Sequence, residues 1–142
     1  MQTLHRQLSP HSPELEDGVA CATFQTMPDD PRMQVLVAEC SGLLGTVTLA
    51  IVPNLTQGAR PCARIENVVT RANIRGQWVG TALMRAAVTH AQAQGVYKVM
   101  LITGRTAPEV HRRYRGPGFQ ADATAYRLRP GSPSLERQKT AP

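Results

Sequence analysis

Two apolar, strand-like runs flank one amphipathic run in residues 62–102, and this order restricts the fold more than any other feature of the chain. We expect strands at about residues 62–70 and 97–102. Between them we expect a helix from about residue 78 to 94, ended by Gly95. The residues expected on one face of this helix recur at helical spacing: Val79, Leu83, Ala86, Ala87 and His90. Strand, helix and strand in this order predict a parallel crossover, which is right-handed in nearly all proteins.

A β-hairpin is predicted ahead of this unit. Residues 34–39 and about 43–52 have a strand-like composition, and Ser41-Gly42 between them is a turn signal. After the crossover, we expect a short helix at 108–115 and one or two strands within 118–128. An antiparallel hairpin beside a parallel crossover predicts an α/β fold, of the α+β kind with one mixed sheet.

Both ends of the chain differ in composition from this core. Ser12-Pro13-Glu14 has the pattern of a helix start, and Pro28 and Pro31 are expected to break the chain before the first strand. From Pro130 onward the chain is rich in proline and polar residues, which predicts disorder. We therefore expect an N-terminal helical segment (1–33), a folded core (34–129) and a disordered tail (130–142).

The charge and the cysteines narrow the choice of partners. The formal net charge of +6 favours an acidic partner, but aromatic residues make up only 4% of the chain, too few for a dedicated single-strand nucleic-acid binder. A phosphate-bearing small molecule is therefore favoured, and nucleic acid is not expected. The three cysteines form no Cys-x-x-Cys pair, so neither a disulfide framework nor a metal site is predicted. Without an apolar run of about 18 residues or a secretory signal, we expect a cytoplasmic protein with no membrane partner.

The stretch IRGQWVGTALM (74–84) places glycines at the start of the predicted helix. Backbone N–H groups at a helix start are unpaired and bind anions, and Arg75, Gly76 and Gly80 fit such a site. Neither G-x-x-x-x-G-K-[ST] nor G-x-G-x-x-G is present. The structural alternative is that Gly76 ends a loop and Gly80 lets the helix pack closely on the sheet.

This stretch resembles the signature of the GNAT superfamily of acetyl-CoA-dependent N-acetyltransferases, which is Arg or Gln, two residues, Gly, one residue, and Gly or Ala. Arg75 and Gly80 fill its first and last positions, while Trp78 stands at the first glycine. Ile65-Glu66-Asn67 before it and Tyr114-Arg115-Gly116-Pro117-Gly118-Phe119 after it also match, so the resemblance runs from about Val35 to Leu128. The chain looks closest to the glucosamine-phosphate acetyltransferase branch. The resemblance implies the GNAT fold, with a shortened N-terminal part.

The resemblance also implies a reaction: transfer of an acetyl group from acetyl-CoA, as co-substrate, to the primary amine of a small molecule, in a possible homodimer. Backbone groups of Val68 and Val69 would pair with the pantetheine arm of the cofactor. The loop residues around its pyrophosphate would be Arg75, Gly76, Gln77, Trp78, Val79, Gly80 and Thr81. A catalytically silent acetyl-CoA-binding or interaction module is the alternative, because Trp78 replaces a glycine that permits close backbone approach.

Two side chains are candidates for the proton transfers. Glu66 would remove a proton from the amine, and Tyr114, with a reference pKa near 10 against about 8.5 for a thiol, would return one to the sulfur. The alternatives are a solvated Glu66 carboxylate paired with Arg64 or Arg75, and a Tyr114 ring that only packs a helix on the sheet.

Arg112-Arg113 is either a solvated charge run or a contact to the acidic ligand. His90 is expected in the core, and the loop 53–61 with Arg60 is a weak candidate for binding an acidic substrate group.

Overall fold

The alternation of strand-like and helix-like runs produces a four-stranded mixed sheet in the computed structural model, which describes residues 1–130. Helices α1 (Gln2–Leu8) and α2 (Asp17–Asp29) precede strands β1 (Met33–Glu39), β2 (Leu43–Val52) and β3 (Cys62–Thr70). A 3₁₀ turn at Ala72–Ile74 leads into α3 (Val79–Ala93), β4 (Lys98–Leu101) and α4 (Pro108–Arg115). The strand order is β1-β2-β3-β4, antiparallel except for the parallel pair β3 and β4. The predicted α/β fold with a hairpin and a parallel crossover is confirmed.

The hairpin between β1 and β2 turns where the sequence signals it. Ser41 and Gly42 both have positive φ, 50° and 124°, and the Cys40 amide donates to the Gly42 carbonyl over 3.0 Å. Such backbone angles suit glycine, which explains the residue at position 42. The turn therefore sets the register of the two long strands.

The core lies between α3 and the middle of the sheet. Val47, Leu49 and Ile65 of the strands are buried against Leu83 and Met84 of the helix. The buried residues of α3 are Val79, Gly80, Leu83, Met84, Ala87 and Ala91. The helical face was thus predicted with two errors: Ala86 is exposed, and His90 is only half buried.

The predicted N-terminal helix differs from the observed one. Its predicted start, Ser12-Pro13-Glu14, lies in a loop, and α2 begins only at Asp17 and includes Pro28 in its last turn. Helix α1 was not predicted at all, although Leu4 anchors it as one of the buried residues of the fold. A single buried leucine in a short helix gives no periodic signal, so the packing of α1 against β3 decides this element.

The strands predicted within 118–128 are absent from the structure, and this prediction was wrong. Residues 120–130 are exposed and irregular, with the Tyr126 side chain 94% exposed. Within the described residues, this segment pairs with neither edge strand, β1 or β4, and a strand-like composition without pairing does not make a strand. The predicted division into segments 1–33, 34–129 and 130–142 stays a prediction, and residues 131–142 of the tail lie outside the described residues.

Candidate active site

A cleft opens in the sheet where β3 and β4 diverge. The two strands pair only from Cys62–Ile65 to Lys98–Leu101, so the edge of β3 from Glu66 onward has no partner on β4. The cleft has a volume of about 200 Å³ and is covered by α4 and by the end of α1. Its lining includes Glu66, Asn67 and Val68 of β3, Ile102 to Gly104 after β4, and Val110, Arg113 and Tyr114 of α4. A narrow slot with unpaired backbone groups on one wall suits an extended, amide-bearing ligand.

A β-bulge shapes the β3 wall of the cleft. Thr46 and Thr48 of β2 pair with Val69 and Glu66, so two residues of β3 lie opposite one residue of β2. Asn67, the first of those two, has φ of 53°, a conformation that asparagine tolerates better than most residues. The bulge bends β3 at the point where it leaves β4.

Glu66 lies in the cleft with an ion-pair partner. The Nε atom of Arg64, two residues earlier on the same face of the strand, donates to Glu66 Oε1 over 2.5 Å. The Glu66 side chain is 42% exposed, so this pair contributes little to stability. The predicted alternative of a carboxylate paired with Arg64 is therefore partly right, and Glu66 also lines the cleft. Arg75 is not its partner, since Arg75 donates to the Gln7 side chain over 3.5 Å.

Tyr114 both packs against the core and lines the cleft. The ring packs against the hydrophobic core as a half-buried residue, and the same residue lines the cleft beside Glu66. Within residues 1–130 its hydroxyl group makes no hydrogen bond, which leaves that group available to a ligand. Packing against the core fixes the direction in which the hydroxyl can act.

The start of α3 lies beyond the open end of the sheet. Gly76 has φ of 85° and open space around its missing Cβ, while the Trp78 side chain is 70% exposed and points away from the core. The first intrahelical bond runs from Ala82 N–H to the Trp78 carbonyl, no side chain caps the helix, and no acidic residue lies in its first turn. The first-turn N–H groups of Trp78 to Thr81 are therefore free to bind an anion.

A larger cavity adjoins the cleft. It has a volume of about 650 Å³ and lies between α1, the loop 9–15 and the bulge residue Asn67. The cavity and the cleft share Leu8, Ser9 and Asn67, so they meet at the bulge. The Nε2 atom of His5, which lines the cavity, is buried without a hydrogen-bond partner in the described chain, and burial lowers the pKa of this imidazole.

Other residues singled out in the sequence lie elsewhere or are already engaged. Arg60 donates to the carbonyls of Gly95 and Val96 over 3.2 and 2.9 Å, and so ties the loop 53–61 to the end of α3. This loop therefore contributes no side chain to the cleft. His90 does not line the cleft either. Within residues 1–130, no group of three or more His, Cys, Asp or Glu residues could hold a metal ion, and no helix is long and apolar enough to cross a membrane.

The model of the acetyltransferase (GNAT) family matches residues 3–119 of the chain. The chain belongs to this family. Glucosamine 6-phosphate N-acetyltransferase 1 of Oryza sativa subsp. japonica is 31% identical to this GNAT protein over 121 residues, which cover 82% of this chain and 70% of the rice protein. The protein is therefore an N-acetyltransferase, an enzyme that moves an acetyl group from acetyl-CoA to an amine.

Solved structures of GNAT proteins have the same fold. A protein of Agrobacterium tumefaciens str. C58 assigned as an acetyltransferase matches with a TM-score of 0.84 and 42% identity, over 89% of each chain. The glucosamine-6-phosphate N-acetyltransferase of Arabidopsis thaliana matches with a TM-score of 0.80 and 19% identity, over 89% of this chain and 86% of that one. At that lower identity, the similarity concerns the fold alone.

The structure brings residues to the cleft and the adjoining cavity that sequence reasoning missed. Asn67 was noted only as part of a motif, although an asparagine inside a strand is itself a signal for a bulge. His5 and Leu8 of α1 and Ser9 directly after it line the cavity or the cleft, and α1 has no sequence signal.

Proposed function

We propose that the cleft between β3 and β4 binds the thioester arm of acetyl-CoA, and that the start of α3 binds its diphosphate. The observation that carries this proposal is the meeting of Glu66, Tyr114 and the unpaired edge of β3 in one slot. Backbone groups of Val68 and Val69 would bind the pantetheine amides. The residues that would surround the diphosphate are Arg75, Gly76, Gln77, Trp78, Val79, Gly80 and Thr81.

The local geometry fits this cofactor despite the tryptophan. The indole of Trp78 is mostly exposed, so it leaves the backbone amides of the loop accessible. Gly76 has no atom within contact distance of a Cβ built on it, which leaves room for a phosphate group. The absence of an acid in the first turn of α3 keeps the site positive.

The proposed chemistry is direct attack of the amine on the thioester carbonyl carbon. Glu66 accepts a proton from the substrate ammonium group, so that the neutral nitrogen can form the new C–N bond. As the C–S bond breaks, the Tyr114 hydroxyl donates a proton to the departing sulfur, and the second proton that the nitrogen loses on becoming an amide restores the hydroxyl, while Glu66 releases its proton to solvent. Acetyl-CoA supplies the activated acetyl group. The Arg64 guanidinium group donates to Glu66 Oε1 and so orients the carboxylate.

We propose that the acceptor amine enters from the 650 Å³ cavity, because this cavity meets the cleft beside Glu66 and Asn67. The rice relative is named for glucosamine 6-phosphate, and a phosphorylated amino sugar is accordingly the first acceptor to test. Arg6 supplies a cation at the cavity wall, where it pairs with Glu14 at 3.8 Å. This long, exposed pair exchanges readily for a substrate phosphate.

A binding titration followed by a turnover assay tests the proposal. Acetyl-CoA is titrated into the protein by calorimetry and by fluorescence of Trp78, the single tryptophan of the chain. We expect micromolar binding with a fluorescence change, followed by release of free CoA with glucosamine 6-phosphate or glucosamine as acceptor. Binding by Trp78→Gly but not by the wild type would show that the indole closes the loop, and would refute the proposed cofactor site.

A homodimer and a cytoplasmic location complete the proposal. Strand β4 is an edge of the described sheet, and Met100 on it and Ile102 directly after it are exposed large apolar residues. An unpaired edge with apolar side chains favours pairing with a second copy of the chain. Light scattering coupled to size-exclusion chromatography measures the mass, and a monomer at micromolar concentration would refute the dimer.

A further inference from the structure

The side chain of Arg113 lies across the start of α3. Its Nε, Cδ and Cζ atoms are 3.3, 3.4 and 3.5 Å from the position that a Cβ on Gly80 would occupy. Gly80 is the second residue of α3, and α4 carries Arg113 to it from the other side of the cleft. Gly80 thus makes room for a side chain of α4, since the three nearest atoms to its missing Cβ all belong to Arg113.

The position of Arg113 brings its guanidinium group to the positive end of the α3 dipole without a compensating anion. The first turn of α3 has free N–H groups and no acidic residue, and the positive end of the helix dipole adds to the Arg113 charge. In the described part of the chain, Arg113 makes neither an ion pair nor a hydrogen bond. A half-buried guanidinium group in such a position favours binding of an anion at the same point.

Arg113 also connects the two halves of the proposed cofactor site. The same side chain that touches Gly80 lines the cleft with Glu66, Val68 and Tyr114. A ligand that extends from the cleft to the start of α3 must pass beside this guanidinium group. Its neighbour Arg112 is exposed and does not line the cleft, since successive helical residues face about 100° apart.

We propose that Arg113 is a diphosphate-binding residue of this enzyme, which supplies from α4 a charge-assisted contact that complements the backbone amides of α3. The proposal rests on the proposed function, since it assumes that acetyl-CoA occupies the cleft and the loop. A planar guanidinium group offers two parallel N–H donors to a phosphate, whereas the amides of the loop each offer one.

The experiment compares two ligands and three variants by calorimetry at low ionic strength. Acetyl-CoA carries the diphosphate, whereas acetyl-pantetheine carries the same thioester arm without it. We expect Arg113→Gln to weaken acetyl-CoA binding about 10- to 100-fold and to leave acetyl-pantetheine binding within about twofold. Arg112→Gln is the matched control and should change neither affinity by more than about twofold. Gly80→Ala, which displaces the guanidinium group, should weaken acetyl-CoA binding by less than Arg113→Gln does.

The outcomes separate this proposal from the proposed function. If the wild type binds acetyl-CoA and Arg113→Gln binds it equally or more tightly, Arg113 is not a diphosphate ligand and the inference is wrong. An equal loss for both ligands would indicate damage to the cleft, and would also overturn it. If the wild type binds neither ligand, the proposed cofactor site itself fails. Circular dichroism of each variant verifies that it is folded.

Discussion

Gly45 of β2 is the position at which a single methyl group should disturb the fold most directly. A Cβ built on Gly45 would lie 2.8 Å from the Val69 carbonyl oxygen, 2.9 Å from Leu83 Cδ1 and 3.2 Å from Thr70 Cγ2. Its φ is not positive, so the backbone angles themselves permit alanine. The whole cost of Gly45→Ala therefore comes from the close approach of β3 and α3.

The size of the effect follows from these distances. Carbon atoms in contact lie about 3.5 to 4.0 Å apart, so Leu83 must move by roughly 0.6 Å or more. Leu83 can change its rotamer, but the Val69 oxygen belongs to the backbone and moves only with β3. Overpacking of this kind costs about 1 to 3 kcal/mol. For a domain of this size, that corresponds to a fall in Tm of about 4 to 12 °C.

Urea unfolding monitored by circular dichroism measures the effect, and Gly18→Ala provides the matched control. Gly18 lies in α2 with no atom within 4 Å of its missing Cβ, so alanine there should raise the free energy of unfolding by about 0.5 to 1 kcal/mol. If the free energy of unfolding of Gly45→Ala lay within about 0.5 kcal/mol of the wild-type value, β3 and α3 would adjust freely to the methyl group. That result would contradict the close packing of this sheet against α3.

Three further predictions concern the site. Glu66→Gln should lower kcat about 100- to 10,000-fold at neutral pH and leave acetyl-CoA affinity unchanged in a binding titration, because the amide cannot accept the proton; a loss of affinity instead would indicate a binding role. Tyr114→Phe should lower kcat and keep the Tm within about 2 °C, because only the hydroxyl group is lost while the ring still packs against the core. His5 has a lowered pKa in the folded state, so the unfolded chain takes up the proton first as the pH falls below about 6.5, and stability decreases from there down to the folded pKa. The free energy of unfolding of the wild type should therefore fall more steeply between pH 7 and 5 than that of His5→Gln. The difference between the two slopes should stay below about 1.4 kcal/mol per pH unit, because the ring is partly solvated. Equal slopes would contradict this prediction.

Periodicity in the sequence was sufficient for the central elements of the fold. The predicted strands at 43–52 and 62–70 and the helix at 108–115 coincide with β2, β3 and α4, and the helix predicted at 78–94 differs from α3 by one residue at each end. These segments carry a signal because one face of each is apolar and contacts the same core. Residues 118–128 have a similar composition, but within the described residues they pair with neither edge strand of the sheet, and there the prediction failed.

The sequence by itself determined the order of β1 to β4, α3 and α4 and the glycine loop before α3, because these depend on local composition and spacing, while its ordered motifs carried the resemblance to the GNAT family. Only the tertiary structure decided that β3 leaves β4 at Ile65, that Glu66 pairs with Arg64, and that Arg113 reaches Gly80 from α4. Such contacts join residues far apart in the chain, or depend on which neighbour a side chain selects. No local pattern encodes them, because they result from the way the elements pack together.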